Sequence, residues 1–154
     1  MQLIDPMLRN LAGPPSLESC TRDTYAPSTR LSLQSLLKLI RAIASATQHL
    51  HQSGIVHGDL YAHNILHDDQ GQALLGDFGA AWLVNSIAPS MARSIQQLEV
   101  RAFGCLLEEL LERCDVEDTT HAALAGLQDL KQQCLRETPS DRPQFEAIED
   151  WIAA

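Results

Sequence analysis

The sequence predicts an α+β fold that is predominantly α-helical. Two observations carry this. Four segments repeat apolar residues at mostly three- and four-residue steps, the period of a helix with one buried face. Only one stretch, Asn64 to Gly76, reads as paired strands: two short apolar runs around the polar turn Asp68-Asp69-Gln70-Gly71. The 154 residues suit one domain with length enough to bury a core. Aromatic residues make up only 5%, so that core must rest mainly on Leu, Ile, Ala and Val.

Residues 1–30 read as an irregular connector. Met1-Gln2-Leu3-Ile4 has the character of a strand end, and Pro6, Gly13-Pro14-Pro15 and Pro27 then interrupt regular structure. A short helix is expected within Ser16–Thr24. Ser32 to Ser53 is the clearest helix, with Leu33, Leu36, Leu37, Ile40, Ile43, Ala44 and Leu50 on one face, Ser32 as N-cap and Gly54 as terminator. Ile55-Val56 is a short strand entering the His57 loop, and the Asn64–His67 and Ala73–Gly76 strands follow. Asp77 to Arg93, with little periodicity and with Pro89 inside it, reads as a loop. A second helix is expected over Gln97–Arg113, with Leu98, Ala102, Cys105, Leu106 and Leu110 inward. A third is expected over Ala122–Glu137 and a fourth over Gln144–Ile152, joined by the tight connector Thr138–Pro143.

The formal net charge of −9 argues against nucleic acid or an anionic membrane as partner, because both select basic surfaces. It is compatible with nucleotide binding where a metal supplies the positive charge. No run of apolar residues is long enough to span a bilayer, and no basic N-terminal region precedes an apolar core, so a cytoplasmic protein without a signal peptide is expected. Cys20, Cys105, Cys114 and Cys134 form no closely spaced pair and read as reduced thiols, with Cys105 and Cys134 on apolar helix faces.

The stretch His57-Gly58-Asp59-Leu60-Tyr61-Ala62-His63-Asn64, with Asp77-Phe78-Gly79 downstream, is where chemistry is concentrated. A hairpin between Asn64 and Asp77 returns the chain to the loop it left. It can thereby gather Asp59, Asn64 and Asp77. Two carboxylates and a carboxamide suit a hard cation such as Mg²⁺, and a carboxylate can take a proton from a hydroxyl. His57, His63 and His67 match no zinc spacing, and Asp68-Asp69-Gln70-Gly71 lacks the later ligands of a calcium loop.

His-Gly-Asp-Leu-x-x-x-Asn followed at this separation by Asp-Phe-Gly resembles the catalytic loop and metal-binding loop of the protein-kinase superfamily. Leu50 to His57 resembles the end of the long helix entering that loop. Glu99 to Gly104 resembles the start of the buried central helix, and Cys134–Pro143 the connector before the last one. The resemblance covers about residues 31–151, so residues 31–154 are expected to be a protein-kinase-like C-terminal lobe. Its small β-hairpin carries the metal-binding loop, and residues 1–30 are a hinge remnant and connector. By resemblance, Asp59 would orient or deprotonate an acceptor hydroxyl, and Asn64 and Asp77 would hold Mg²⁺ against the phosphates of ATP. Asp77, Phe78 and Gly79 would form the nucleotide-facing loop, with Phe78 and His57 packed beneath.

The sequence departs from that pattern in several places. It contains no Gly-x-Gly loop, and its two lysines, Lys38 and Lys131, fall in predicted helices. The nucleotide-covering lobe would therefore come from elsewhere, as a separate N-lobe or a partner chain over an exposed face near Met1–Ile4 and Leu74–Phe78. Gly58 stands where many regulated kinases carry Arg, which argues against switching by loop phosphorylation. His-Gly-Asp is also common in small-molecule kinases, and Tyr61 and His63 replace residues that would mark the acceptor. Protein and small-molecule hydroxyls therefore both remain open as acceptors. Ala88-Pro89-Ser90 is all that remains of the Ala-Pro-Glu motif, leaving Arg142 without its usual carboxylate.

Overall fold

The computed structural model describes residues 5–18, 22–115 and 122–153. Helix α1 (Leu33–Gln52) is the centre of the packing. Its start is set by Ser32, whose hydroxyl accepts from Ser35 N at 3.1 Å and satisfies one of the helix's unpaired first-turn amides. Its end is set by Gly54, which takes the left-handed φ of +70° that favours glycine after a helix. Leu36, Leu39, Ile40, Ile43 and Ala44 are all fully buried, and the Thr47 hydroxyl is satisfied within the helix by Ile43 O at 2.8 Å.

Helix α2 (Pro89–Leu111) packs against α3 (Ala122–Cys134), and α4 (Phe145–Ala153) lies on α1. Phe103 and Phe145 meet edge-on at 5.4 Å where these layers join. One core runs through them, built largely from Leu and Ile side chains, and it includes Leu11 and Ala12 of the connector.

The strands are short. β4 (Ile65–His67) and β5 (Ala73–Leu75) form the expected hairpin, in register Ile65↔Leu75 to His67↔Ala73. β1 (Arg9–Asn10) adds antiparallel to the other edge of β4. β3 (Ile55–Val56) pairs antiparallel with β6 (Trp82–Leu83), and β2 (Leu31–Ser32) pairs parallel with β7 (Cys114–Asp115).

Several expectations need correction. Asp77–Arg93 is not one loop. A 3₁₀ turn (Phe78–Ala80), strand β6 and the first turn of α2 occupy much of it. Pro89 is the reason, because proline fits the first turn of a helix, where its missing N–H is not needed. Ser16–Glu18 and Arg22–Thr24 are not helical; Gly13 and Thr24 instead exchange backbone hydrogen bonds at 2.8 and 2.9 Å. On α2 the buried face is Val100, Phe103, Leu106, Leu107 and Leu110, while Leu98 is 59% exposed and Cys105 only half-buried. The strand end at Met1–Ile4 and the thiol of Cys20 lie outside the described residues.

Among the described residues no helix is long and apolar enough to cross a membrane. Cys105, Cys114 and Cys134 are free thiols.

Candidate functional site

Strand β3 ends at Val56, and the next residues, His57 to Asn64, form a loop closed by a 3₁₀ turn over Ala62–Asn64. The loop is held from three sides. From α2, Glu99 accepts from Gly58 N at 2.8 Å, from His57 N at 3.2 Å and from His51 Nε2 at 2.7 Å. Burial alone would push the Glu99 carboxyl up. The bonds from His51 and the two loop amides outweigh it and leave the group below its ordinary value. From the hairpin, Gly76 O accepts from His57 Nε2 at 2.8 Å, while His57 Nδ1 accepts from Asp59 N at 3.3 Å, so the ring is held as the Nε2–H tautomer.

The third anchor comes from the connector. Asp23, whose side chain is 0% exposed, accepts from Ala62 N at 3.0 Å, His63 N at 3.1 Å and His63 Nδ1 at 2.6 Å. Beside it, Arg22 donates to Leu60 O at 3.3 Å and lies 4.1 Å above the Tyr61 ring. Its other partner is Glu109, at 3.2 Å, which also accepts from the Tyr25 hydroxyl at 3.0 Å. Burial pushes both the Glu109 carboxyl and the Tyr25 phenol up.

Within this frame Asn64 turns its amide nitrogen onto Asp59, donating to Asp59 O and to Asp59 Oδ2, each at 2.9 Å. That orients one carboxylate oxygen of Asp59 and leaves Asn64 Oδ1 as an acceptor not used by this pair. Gly76 N donates to Asn64 O at 2.8 Å, which brings the end of the hairpin to the loop, and Asp77 is the next residue. Asp77 has φ +48°, uncommon for a residue with a Cβ, and its Oδ1 accepts from Gly79 N at 3.1 Å. Phe78 meets the buried His57 ring edge-on at 4.9 Å but is 49% exposed, so it covers the loop on one side only. Leu74 is 48% exposed on the same stretch.

The structure thus joins Asp59 to Asn64 directly, and it links Asp77 to them through the hairpin backbone. Among the described residues no three His, Cys, Asp or Glu side chains converge as a ready-made metal cage. Mg²⁺ seldom needs one, since it commonly takes one or two protein ligands with water and phosphate oxygens. The carboxylate of Asp77 and Oδ1 of Asn64 are the chemically suited pair. In the sequence Glu99 is marked only as part of the Glu99–Gly104 helix segment, and nothing local marks Asp23 or Arg22.

Gly58 has φ +80°, and a Cβ there would meet Ala80 O at 2.6 Å. The loop therefore excludes a larger side chain as it stands. Arg142 is buried and donates to three carbonyls, Gln97 O at 2.9 Å, Arg136 O at 2.8 Å and Glu137 O at 3.1 Å, which take the place of a carboxylate partner.

A helical lobe whose β-hairpin returns an Asp-Phe-Gly turn to an anchored His-x-Asp loop defines the C-terminal lobe of a kinase-like fold. A sequence profile described as protein tyrosine and serine/threonine kinase matches residues 6–102. The chain belongs to that family. It is 26% identical to the serine/threonine/tyrosine-protein kinase HT1 of Arabidopsis thaliana, over 77% of this chain and 39% of that protein. It is 33% identical to the serine/threonine-protein kinase PrkC of Bacillus subtilis, over 68% of this chain and 18% of that protein. The chain thus spans well under half of either relative. Among solved structures, a kinase described as divergent, lacking the glycine-rich loop and regulating membrane ultrastructure of the Toxoplasma parasitophorous vacuole has a similar fold. The TM-score is 0.59 at 20% identity, over 73% of this chain and 40% of that one.

Proposed function

We propose that these residues are the catalytic-loop half of an ATP-dependent phosphotransferase, which moves a phosphoryl group from Mg²⁺-bound ATP to a hydroxyl, on protein in the first instance. The observation that carries this reading is the double hydrogen bond from the Asn64 amide to Asp59. It fixes the carboxylate that would orient the acceptor hydroxyl and receive its proton, and it keeps Asn64 Oδ1 for a cation. Asn64 and Asp77 would hold Mg²⁺, with Phe78 and Gly79 shaping the turn on the nucleotide side. The bound metal would supply positive charge to the transferring phosphates. The opposite wall would be an N-lobe contributed by residues outside these 154.

The test is phosphate transfer from labelled Mg²⁺-ATP by the chain combined with a lobe carrying a glycine-rich loop and strand lysine. Asp59→Asn should lower kcat by about 10²–10⁴-fold. Asp77→Ala should abolish nucleotide binding. The chain alone should show little or no Mg²⁺-ATP binding by calorimetry. Micromolar affinity that disappears in Asp77→Ala would mean that the half-site is competent by itself. Transfer unaffected by Asp59→Asn would refute the assignment.

A second reading, a non-catalytic interaction module with the same fold, is supported by the placement of the only two lysines, Lys38 in α1 and Lys131 in α3, both far from the role of a phosphate-binding strand lysine. The similar Toxoplasma kinase, described as lacking the glycine-rich loop, fits with that reading. Absence of transfer with every lobe and acceptor tried, in a chain that still folds, would favour it. A small-molecule acceptor is the third reading, favoured by the His57-Gly58-Asp59 sequence. Transfer to an amino sugar or amino alcohol but to no peptide would select it.

A further inference from the structure

Helices α1, α2 and α4 meet around a small cavity of about 150 Å³. Its lining is unusually rich in carboxamides. Gln48 and Gln52 come from α1, Gln96 and Gln97 from α2, and Gln144 stands just before α4. Val100 and Phe145, each only 1% exposed, supply the apolar wall.

Gln97 is the residue that marks this cavity as a site. It is only 6% exposed, yet its side-chain amide makes no hydrogen bond to any described residue. Its backbone carbonyl, by contrast, accepts from Arg142 at 2.9 Å. Gln96 beside it is also engaged, donating from Nε2 to His51 O at 3.3 Å. Among the described residues no fully buried side-chain nitrogen or oxygen lacks a partner. The amide atoms of Gln97 are therefore the part of it that still reaches solvent, and they reach it in the cavity the residue lines. A carboxamide at so buried a position is costly unless its donor and its acceptor are both met. This one holds nothing in the protein and is equipped to hold something in the cavity.

The charges narrow what that can be. Among the described residues no Lys or Arg lines the cavity. His51 lines it, but its Nε2 is taken by Glu99 at 2.7 Å. Glu146 lines it too and is exposed. A carboxylate or phosphate would find no guanidinium or ammonium there and would meet a like charge. A carboxamide on the ligand, by contrast, can pair head-on with that of Gln97, donating to Oε1 and accepting from Nε2. The volume is about that of an interior cavity that accepts one benzene ring.

We propose that this cavity binds a small neutral molecule carrying a primary carboxamide on a flat six-membered ring. The amide pairs with Gln97 and the ring lies on Val100 and Phe145. This goes beyond the phosphotransferase reading and does not depend on it.

The probe is nicotinamide, titrated without nucleotide into the purified ¹⁵N-labelled chain and followed through the glutamine side-chain amide resonances. Saturable shifts at Gln97 are expected, with a Kd on the order of 1 mM for so small a ligand. Methyl nicotinate keeps the ring and the carbonyl but lacks the N–H donor, and nicotinate carries a charge. Each should bind about tenfold more weakly, the scale of one bond lost at a buried partner. Gln97→Met keeps the length of the side chain and gives up no bond within the protein. It should unfold at the same or a higher urea concentration and bind nicotinamide about tenfold more weakly. The ligand series reads the same contact in the unaltered chain, so the outcome does not hang on how the variant folds. No saturable shift at Gln97, equal binding of methyl nicotinate or nicotinate, or full affinity in folded Gln97→Met overturns the proposal. Tighter binding of N-acetylglutamine amide than of nicotinamide also overturns it, because the cavity would then receive a side chain of a protein partner.

Discussion

Asp23 offers the sharpest test of how the His57–Asn64 loop is held. Its carboxylate is buried and accepts two backbone amides, Ala62 N at 3.0 Å and His63 N at 3.1 Å, besides the His63 ring at 2.6 Å. In Asp23→Ala those amides lose their acceptor. Ala62 is fully buried and water cannot readily replace the carboxylate, so that amide should cost about 2 kcal/mol; His63 is half-buried, and its amide should cost about 1 kcal/mol. The sum is about 3 kcal/mol, before any collapse of the connector around the missing side chain. In urea, with a slope of about 2 kcal/mol per molar, the midpoint should drop by about 1.5 M. The thermal midpoint should drop by roughly 6–12 °C for a chain of this size. Asp23→Asn keeps one acceptor oxygen but turns an amide nitrogen toward the loop, so it should lose about half as much. A shift below about 0.3 M for Asp23→Ala, with the urea slope unchanged, would refute the claim that this carboxylate anchors the loop.

Gly58→Ala should destabilise the fold by about 2 kcal/mol or more, because it adds a Cβ at φ +80° against the Ala80 carbonyl; equilibrium unfolding checks this, and a neutral result would mean the loop has room to move. Glu99 gives a pH signature. Its carboxyl is held below its ordinary value of 4.5, so the stabilising difference is fully present above that pH and is lost as pH falls through the lower folded-state value. The stability gap between the native chain and Glu99→Gln should accordingly be constant near neutrality and narrow below about pH 4.5, measured by urea unfolding at a series of pH values; a gap that widens on acidification would be wrong in sign. Burial pushes the Cys134 thiol up to about 12, so at pH 8 it should resist a thiol reagent in the native state and react once urea unfolds the chain; rapid native labelling at Cys134, located by mass spectrometry, would contradict the packing.

Helix α1 and the β4–β5 hairpin were legible because their signals are local. Ser32 and Gly54 bracket an apolar period, and a polar turn separates two apolar runs. The boundaries of α2 were not, because Pro89 reads as a breaker in isolation and as a first-turn residue only when the following turns are known to be helical. Leu98 shows a different limit. Apolar spacing counts a residue as inward whether it faces a core or an open groove, and α2 has both faces. At the candidate site, residue type and spacing mark Asp59, Asn64 and Asp77. Asp23 and Arg22 act across contacts distant in sequence, from a segment with no period of its own, so no pattern in the chain could reveal them.

The three anchors explain why Gly58 belongs where it is. In the sequence Gly58 stands for the loss of an arginine that could answer a phosphate. In the structure the position carries a backbone requirement as well. A left-handed turn lets Gly58 N reach Glu99 at 2.8 Å while its α-carbon lies against the Ala80 carbonyl. An arginine there would have to displace the segment after Asp-Phe-Gly that the loop packs upon. The loop takes its shape instead from Glu99, Asp23 and the Gly76 carbonyl, all within the described lobe. Its order is thus set by contacts made inside this lobe, and Leu74 and Phe78 stand half exposed beside it.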